Sequence, residues 1–165
     1  IGTGSGCIII TLLEELKKSK GVGIDISNKA LKIAEFNSKK NKTVSRIKFL
    51  KKSTDSFFNK KFDIVISNPP YIPRYYLKNL APDIKLFEPK LALDGGNDGL
   101  DVIKKVIYKS RKILKFNGML GLEIGNGQYK RVSQILKLNS FREKYLIKDF
   151  KENVRCILAL KLSNH

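Results

Sequence analysis

Histidine is almost missing from this chain of 165 residues: it occurs once, as His165, the last residue. Order is least expected at a chain end, so imidazole catalysis is not expected. Cysteine is scarce too. Cys7 and Cys156 lie far apart in apolar runs, which argues against a disulfide scaffold or a thiolate metal cluster and suggests two small core residues. No metal site is expected. No apolar run approaches the roughly 18 residues of a membrane span, so membrane insertion is set aside. A G-x-x-x-x-G-K-[ST] pattern is absent, which speaks against a phosphate-cradling NTPase. No signal or transit segment is visible, and a cytoplasmic location is expected. Acidic residues are few, 15 against 33 basic, for a net charge of +18. So basic a chain would attract polyanions, nucleic acid included. However, only six of the basic residues are arginine, at 46, 74, 111, 131, 142 and 155, and lysines spread over surface faces are also what a biased base composition produces. Nucleic-acid contact is thus allowed but not required.

The length suits one domain. Four apolar runs bounded by turn formers read as buried strands: 21–25, 46–50, 62–67 and 118–125. Helical patterns fill the intervals at 7–19, 27–40, 98–115 and 127–138, with Ser27 as N-cap of the second. Strands alternating with such helices imply parallel pairing through crossovers, hence an α/β fold, an open sheet covered by helices on both faces. The tail departs from this rhythm. Runs 143–150 and 154–162 are too close for a crossover helix and are expected to form an antiparallel hairpin. Residues 72–97 lack periodicity and hold most of the prolines, which reads as a long functional loop.

Ile1 to Gly6, "IGTGSG", runs directly into a helix, so its backbone N–H groups face a ligand at the helix N-terminus. The spacing is G-x-G-x-G. Gly2, Gly4 and Gly6 allow close approach, and Thr3 and Ser5 add hydroxyls. A strand-to-helix turn also needs glycine for steric reasons alone. Asp25 ends the next strand at a distance suited to bonding ribose hydroxyls, which favours a ribose-bearing cofactor. After the following strand, Asp55 either reaches an adenine amino group or caps its turn. Phe57 and Phe58 either flank an adenine or enter the core, the core being preferred.

"SNPPYIP", Ser67 to Pro73, follows a central strand, where open α/β sheets bind ligands. Pro69 and Pro70 fix φ and carry no N–H, so the carbonyls of the segment are expected to stay unpaired by local structure and available as acceptors. Asn68 adds a side-chain carbonyl, and Tyr71 a flat face for stacking. Two rigid acceptors and an aromatic face suit an NH₂ group on a planar π-system, either an amide or a base amine. The electrophile that would complete such a site beside a nucleotide-like pocket is a methyl on sulfonium, S-adenosylmethionine.

The glycine loop, Asp25 and "NPPY", in this order, resemble class I S-adenosylmethionine-dependent methyltransferases. The segment "FEPKLALDGGNDGLDVI", Phe87 to Ile103, is similar to that of the protein glutamine N5-methyltransferases that modify the GGQ glutamine of peptide chain release factors. N-P-P-Y alone is shared with adenine-N6 DNA methyltransferases, which leaves a nucleic-acid adenine methyltransferase as the alternative. The resemblance implies a Rossmann-like, mostly parallel sheet with a C-terminal antiparallel hairpin, residues 1–165 being the catalytic domain. It also implies that the first strand, with its acid, and a small helical domain precede Ile1. It implies S-adenosylmethionine as cofactor and a release factor as protein substrate. Gly2, Thr3, Gly4, Ser5, Gly6, Asp25, Asp55 and Asn68 are the candidate cofactor-binding residues. Asn68, Pro69, Pro70 and Tyr71 are the candidate catalytic residues. Glu88 and Pro89 are expected to shape the substrate pocket. The turn at Asp55 departs from the family pattern.

Overall fold

A computed structural model describes residues 1–56 and 61–162. Phe57, Phe58 and His165 lie outside the described residues. The chain divides after Ser56 into two compact units, each taken by itself below.

In the first unit, Gly6 adopts a left-handed φ of 83° and opens α1, Cys7–Glu15. The helix stops at Glu15, four residues short of the expected 7–19, and Arg46 donates to the carbonyls of Leu16 (3.2 Å) and Ser19 (3.4 Å). A guanidinium there ties down the turn after the helix and suits the negative end of its dipole. β1, Gly21–Asp25, leads through α2, Asn28–Lys40, to β2, Ile47–Lys51. Ser27 caps α2 as expected, its hydroxyl accepting from the Ala30 N–H at 3.2 Å, and Lys39 and Lys40 close the last turn. β1 and β2 pair in parallel from Gly21↔Ile47 to Asp25↔Lys51, the arrangement that a helical crossover enforces. Ile10, Leu13, Ile24, Leu31 and Ala34 are buried. Cys7 is not. It is exposed because it is the first residue of α1, one turn beyond buried Ile10, so the core assignment fails for it; Cys156 is half-buried.

The second unit carries a four-stranded sheet whose strands lie in the order β3 (Phe62–Ser67), β4 (Leu114–Glu123), β6 (Val154–Lys161), β5 (Phe141–Lys148). β3, Phe62–Ser67, runs parallel to β4, Leu114–Glu123. Between them α5, Asp101–Ile113, buries Ile103, Val106, Ile107, Ser110 and Ile113, the spacing of one helix face. After α6, Tyr129–Leu138, come β5, Phe141–Lys148, and β6, Val154–Lys161, paired antiparallel as the short connection demands, with β6 also antiparallel to β4. Leu114, Leu120, Leu122, Ile124 and Ile157 are fully buried, each such side chain contributing about 1.5–3 kcal/mol from burial.

Two expectations change here. Residues 72–97 are not a plain loop: they form a 3₁₀ turn, Arg74–Asn79, and two short helices, α3, Pro82–Phe87, and α4, Lys90–Leu93. Pro73 and Pro89 stand at N-cap positions and Pro82 inside the first turn, where a missing N–H costs nothing. Read as breakers, these prolines are starters. One lysine also leaves the surface pattern. Lys161 is 3% exposed and donates to the Leu114 carbonyl at 2.9 Å; burial, then Lys61 and Arg111, pull its pKa down.

Candidate active site

In the first unit the glycine loop folds against the carboxyl end of β1. The Thr3 N–H donates to the Ile24 carbonyl and the Gly6 N–H to the Thr3 carbonyl, both at 2.9 Å. These bonds fold the loop into a tight turn in which Gly2, Gly4 and Gly6 have φ of 64°, 54° and 83°. The three glycines do different things. A Cβ on Gly6 would lie 3.1 Å from both Ala34 Cβ and Ile10 Cδ1, whereas Cβ atoms on Gly2 and Gly4 would meet nothing within 4 Å. Gly6 therefore packs the loop against α2, while Gly2 and Gly4 leave an open approach to the backbone.

Asp25 is tied into this loop. Its Oδ2 accepts from the Gly4 N–H and its Oδ1 from the Ser27 N–H, each at 2.9 Å. A carboxylate oxygen has a second lone pair, so Asp25 can brace the loop and still accept from a ligand hydroxyl. Asn37 adds a strut from α2, its amide donating to the Ser5 carbonyl at 2.9 Å. Asp55 is exposed, in the turn after β2 that the Ser56 N–H closes by donating to the Ser53 carbonyl. Sequence reasoning missed Gly23 and Asn37. A Cβ on Gly23 would lie 2.8 Å from the Phe49 ring and 3.0 Å from Thr3 Oγ1, so the second glycine of "GVGID" makes room for the loop.

In the second unit, the ladder from β3 to β4 ends at Ser67↔Leu122. Asn68 follows, exposed, then buried Pro69 and half-buried Pro70 and Tyr71. Among the described residues no hydrogen bond reaches the Asn68 side chain or the carbonyls of Pro69 and Pro70. The expectation of open carbonyls fails further on. The Tyr71 carbonyl accepts from Gln128 at 2.9 Å and the Ile72 carbonyl from the Gly95 N–H at 2.9 Å, because a second loop packs alongside. Tyr71 is engaged in its own right: Arg155 donates to its hydroxyl at 2.9 Å, and the guanidinium lies 5.4 Å from the ring centroid.

That second loop is the "LDGGNDGLD" part of the segment singled out in the sequence. The Ile72 N–H donates to the Leu93 carbonyl and the Arg74 N–H to the Gly96 carbonyl, while Arg74 pairs with Asp94 at 3.0 Å. The Gly96 N–H, then Arg74, hold the Asp94 carboxyl below the usual aspartate range. Asp98 is lowered likewise by the Leu100 N–H, with Arg131 and Lys104 beside it. A Cβ on Gly95 would lie 2.8 Å from Tyr71 Cα, and one on Gly99 2.4 Å from the Tyr71 carbonyl oxygen. Both glycines exist for this contact. Glu88 and Pro89 are exposed between α3 and α4, near exposed Leu86, Phe87 and Leu91. Sequence reasoning missed Gln128 and Arg155, whose neighbours in the chain give no motif.

The Thr3, Gly4 and Gly6 N–H groups bond within the first unit instead of facing a ligand as expected, because the tight turn folds them inward; the open glycine face beside a carboxylate still suits a nucleoside with a charged amino-acid portion. Rigid acceptors in the other suit a planar NH₂. Residues 1–155 match the family described as Methyltransferase domain. The chain belongs to the methyltransferase-domain family. A release factor glutamine methyltransferase of Fusobacterium nucleatum subsp. nucleatum is 40% identical over 98% of this chain and 46% of its own length. A ribosomal protein uL3 glutamine methyltransferase of Francisella tularensis subsp. tularensis is 40% identical over 77% of this chain and 40% of its own. The chain spans about half the length of the curated relatives it matches. Among solved structures, a ribosomal protein L11 methylase of Lactobacillus delbrueckii subsp. bulgaricus is similar, with a TM-score of 0.70 at 20% identity, covering 98% of this chain and 67% of that one. The methyltransferase domain thus has the Rossmann-like class I fold, parallel strands with an antiparallel hairpin at the end. Among its described residues no helix is long and apolar enough to cross a membrane.

Proposed function

We propose that the protein transfers a methyl group from S-adenosylmethionine to the side-chain amide nitrogen of a glutamine, that of the GGQ motif of a peptide chain release factor. The observation that carries this reading is the acceptor pair at Asn68 and Pro69, unpartnered among the described residues, on a segment that two prolines stiffen. An amide nitrogen is a poor nucleophile because its lone pair is delocalised into the carbonyl. What helps it is orientation, together with fixed dipoles that favour the positive charge building up as the new bond forms. The Asn68 side-chain carbonyl and the Pro69 carbonyl accept the two N–H bonds of the amide, hold its plane and supply those dipoles. Tyr71, braced by Arg155, packs against it. In the first unit the loop from Gly2 to Gly6 would hold the methionine portion of the cofactor and Asp25 the ribose, with Asp55 toward the adenine. When bound, the cofactor supplies an electrophilic methyl on sulfonium.

Relatives named as glutamine methyltransferases of release factors and of ribosomal protein uL3 support a glutamine amide in a component of the translation machinery. The test uses the full-length protein with methyl-labelled S-adenosylmethionine and three acceptors: a release factor, uL3 and adenine-containing nucleic acid. Label on the GGQ glutamine is expected. Label on uL3 alone would move the substrate, and label on adenine alone would overturn the reading.

A further inference from the structure

We propose that Gln128 is a positioning residue that holds the acceptor segment from Asn68 to Tyr71 in its working shape; this rests on the function proposed above and deepens it. Gln128 stands at the N-cap position of α6 and is 9% exposed. Its amide is fully used. Nε2 donates to the Tyr71 carbonyl at 2.9 Å and to the Gly99 carbonyl at 3.2 Å, and Oε1 accepts from the Gly125 N–H at 2.8 Å. A primary amide offers two N–H donors and an acceptor oxygen, and here each finds a backbone partner on a different loop. A carboxylate in this place would set anionic oxygens against two carbonyls. An apolar side chain would leave two buried carbonyls and one N–H unpaired.

The backbone is shaped around this side chain. A Cβ on Gly99 would lie 2.7 Å from Gln128 Nε2, and one on Gly125 2.9 Å from Gln128 Oε1, so the slot exists because both flanking residues are glycine. Asn68 and Pro69 sit between two anchors. Upstream is the Ser67↔Leu122 pair of the sheet; downstream is Tyr71, fixed at its carbonyl by Gln128 and at its hydroxyl by Arg155. Pro69 and Pro70 transmit the downstream anchor because their φ angles are fixed. Gln128 sets where the acceptors point while bonding to neither of them.

The test compares Gln128→Glu and Gln128→Met with wild type in the full-length protein. Two quantities are read at pH of about 5.5 and about 8.5, on either side of a buried glutamate's raised pKa. One is amide hydrogen exchange in peptides covering 69–75 and 94–100, corrected for intrinsic rates; the other is turnover on a release factor. At the higher pH the carboxylate introduced by Gln128→Glu cannot donate, so exchange should quicken about tenfold and kcat fall about tenfold, with cofactor affinity within about twofold of wild type. At the lower pH the protonated carboxyl donates one bond and still accepts from Gly125, and both quantities return toward wild type. Gln128→Met should stay loosened at both. Wild-type exchange in both variants at both pH values would overturn the inference, as would quickened exchange with unchanged kcat. If wild type methylates no glutamine, the proposed function falls, while the exchange data still support or overturn the anchoring by Gln128.

Discussion

The glycine loop of the first unit uses its Thr3, Gly4 and Gly6 N–H groups on Ile24, Asp25 and Thr3, whereas the Asn68 segment of the second leaves acceptors open at Asn68, Pro69 and Pro70 among the described residues, and the two are made rigid by opposite means. In the loop, left-handed glycines give the chain a shape that other residues resist, and the bracing is nearer in sequence: Asp25 lies 21 residues from Gly4 and Asn37 lies 32 from Ser5. In the acceptor segment, two prolines remove donors, and the bracing by the loop from Leu93 to Gly96 is joined by partners 57 and 84 residues away, Gln128 and Arg155. The loop is held by the strand and helix that follow it, whereas the segment, with no N–H at Pro69 and Pro70, is held at Tyr71 by partners far along the chain.

The comparison predicts that the second region breaks more easily at a distance. The largest effect is expected for Gly99→Ala, where φ is 76° and the new Cβ would lie 2.4 Å from the Tyr71 carbonyl oxygen. Denaturant titration should show a loss of about 3 kcal/mol or more. In the first region Asp25→Ala removes the acceptor for Gly4 and Ser27 together with the proposed ribose contact. Calorimetry should find cofactor binding weakened roughly tenfold to a hundredfold, with kcat at saturating cofactor within about threefold of wild type. Gly2→Ala meets open space and only the left-handed penalty, so about 1 kcal/mol is expected by the same titration. The smallest effect is acid loosening at Asp94. Its folded pKa lies below the ordinary aspartate value, so the stability it contributes is complete above pH about 3.9 and is lost as pH falls through the folded value. Asp94→Asn should flatten that acid response in exchange of the 94–101 peptide.

Strands and main helices were legible because their signals are local: apolar runs between turn formers, the Ser27 cap, a hairpin connection too short for a helix. The glycine loop and Asp25 were legible from their residue types and spacing, whereas the Asn37 strut, 32 residues from Ser5, was not. What could not be read was long-range. Gln128 looks like any polar residue at a helix start, and Arg155 like a strand arginine, until the fold brings them to Tyr71. The helices within 72–97 were hidden because proline has two local meanings, stop and N-terminal start, and only the backbone on either side decides. Cys7 was misjudged because periodicity does not say where a helix end meets solvent.

In the proposed function Asn68 and Pro69 act on the amide being methylated, while the glycine loop and Asp25 hold the cofactor. Asn68→Ala in the full-length protein separates these roles, with turnover on a release factor and cofactor affinity measured on the same preparation. The expected result is that kcat falls about a hundredfold or more while the cofactor Kd stays within about twofold, because the lost contact strengthens only as charge builds on nitrogen. Unchanged turnover, or a Kd that rises in step with the loss of kcat, would contradict it.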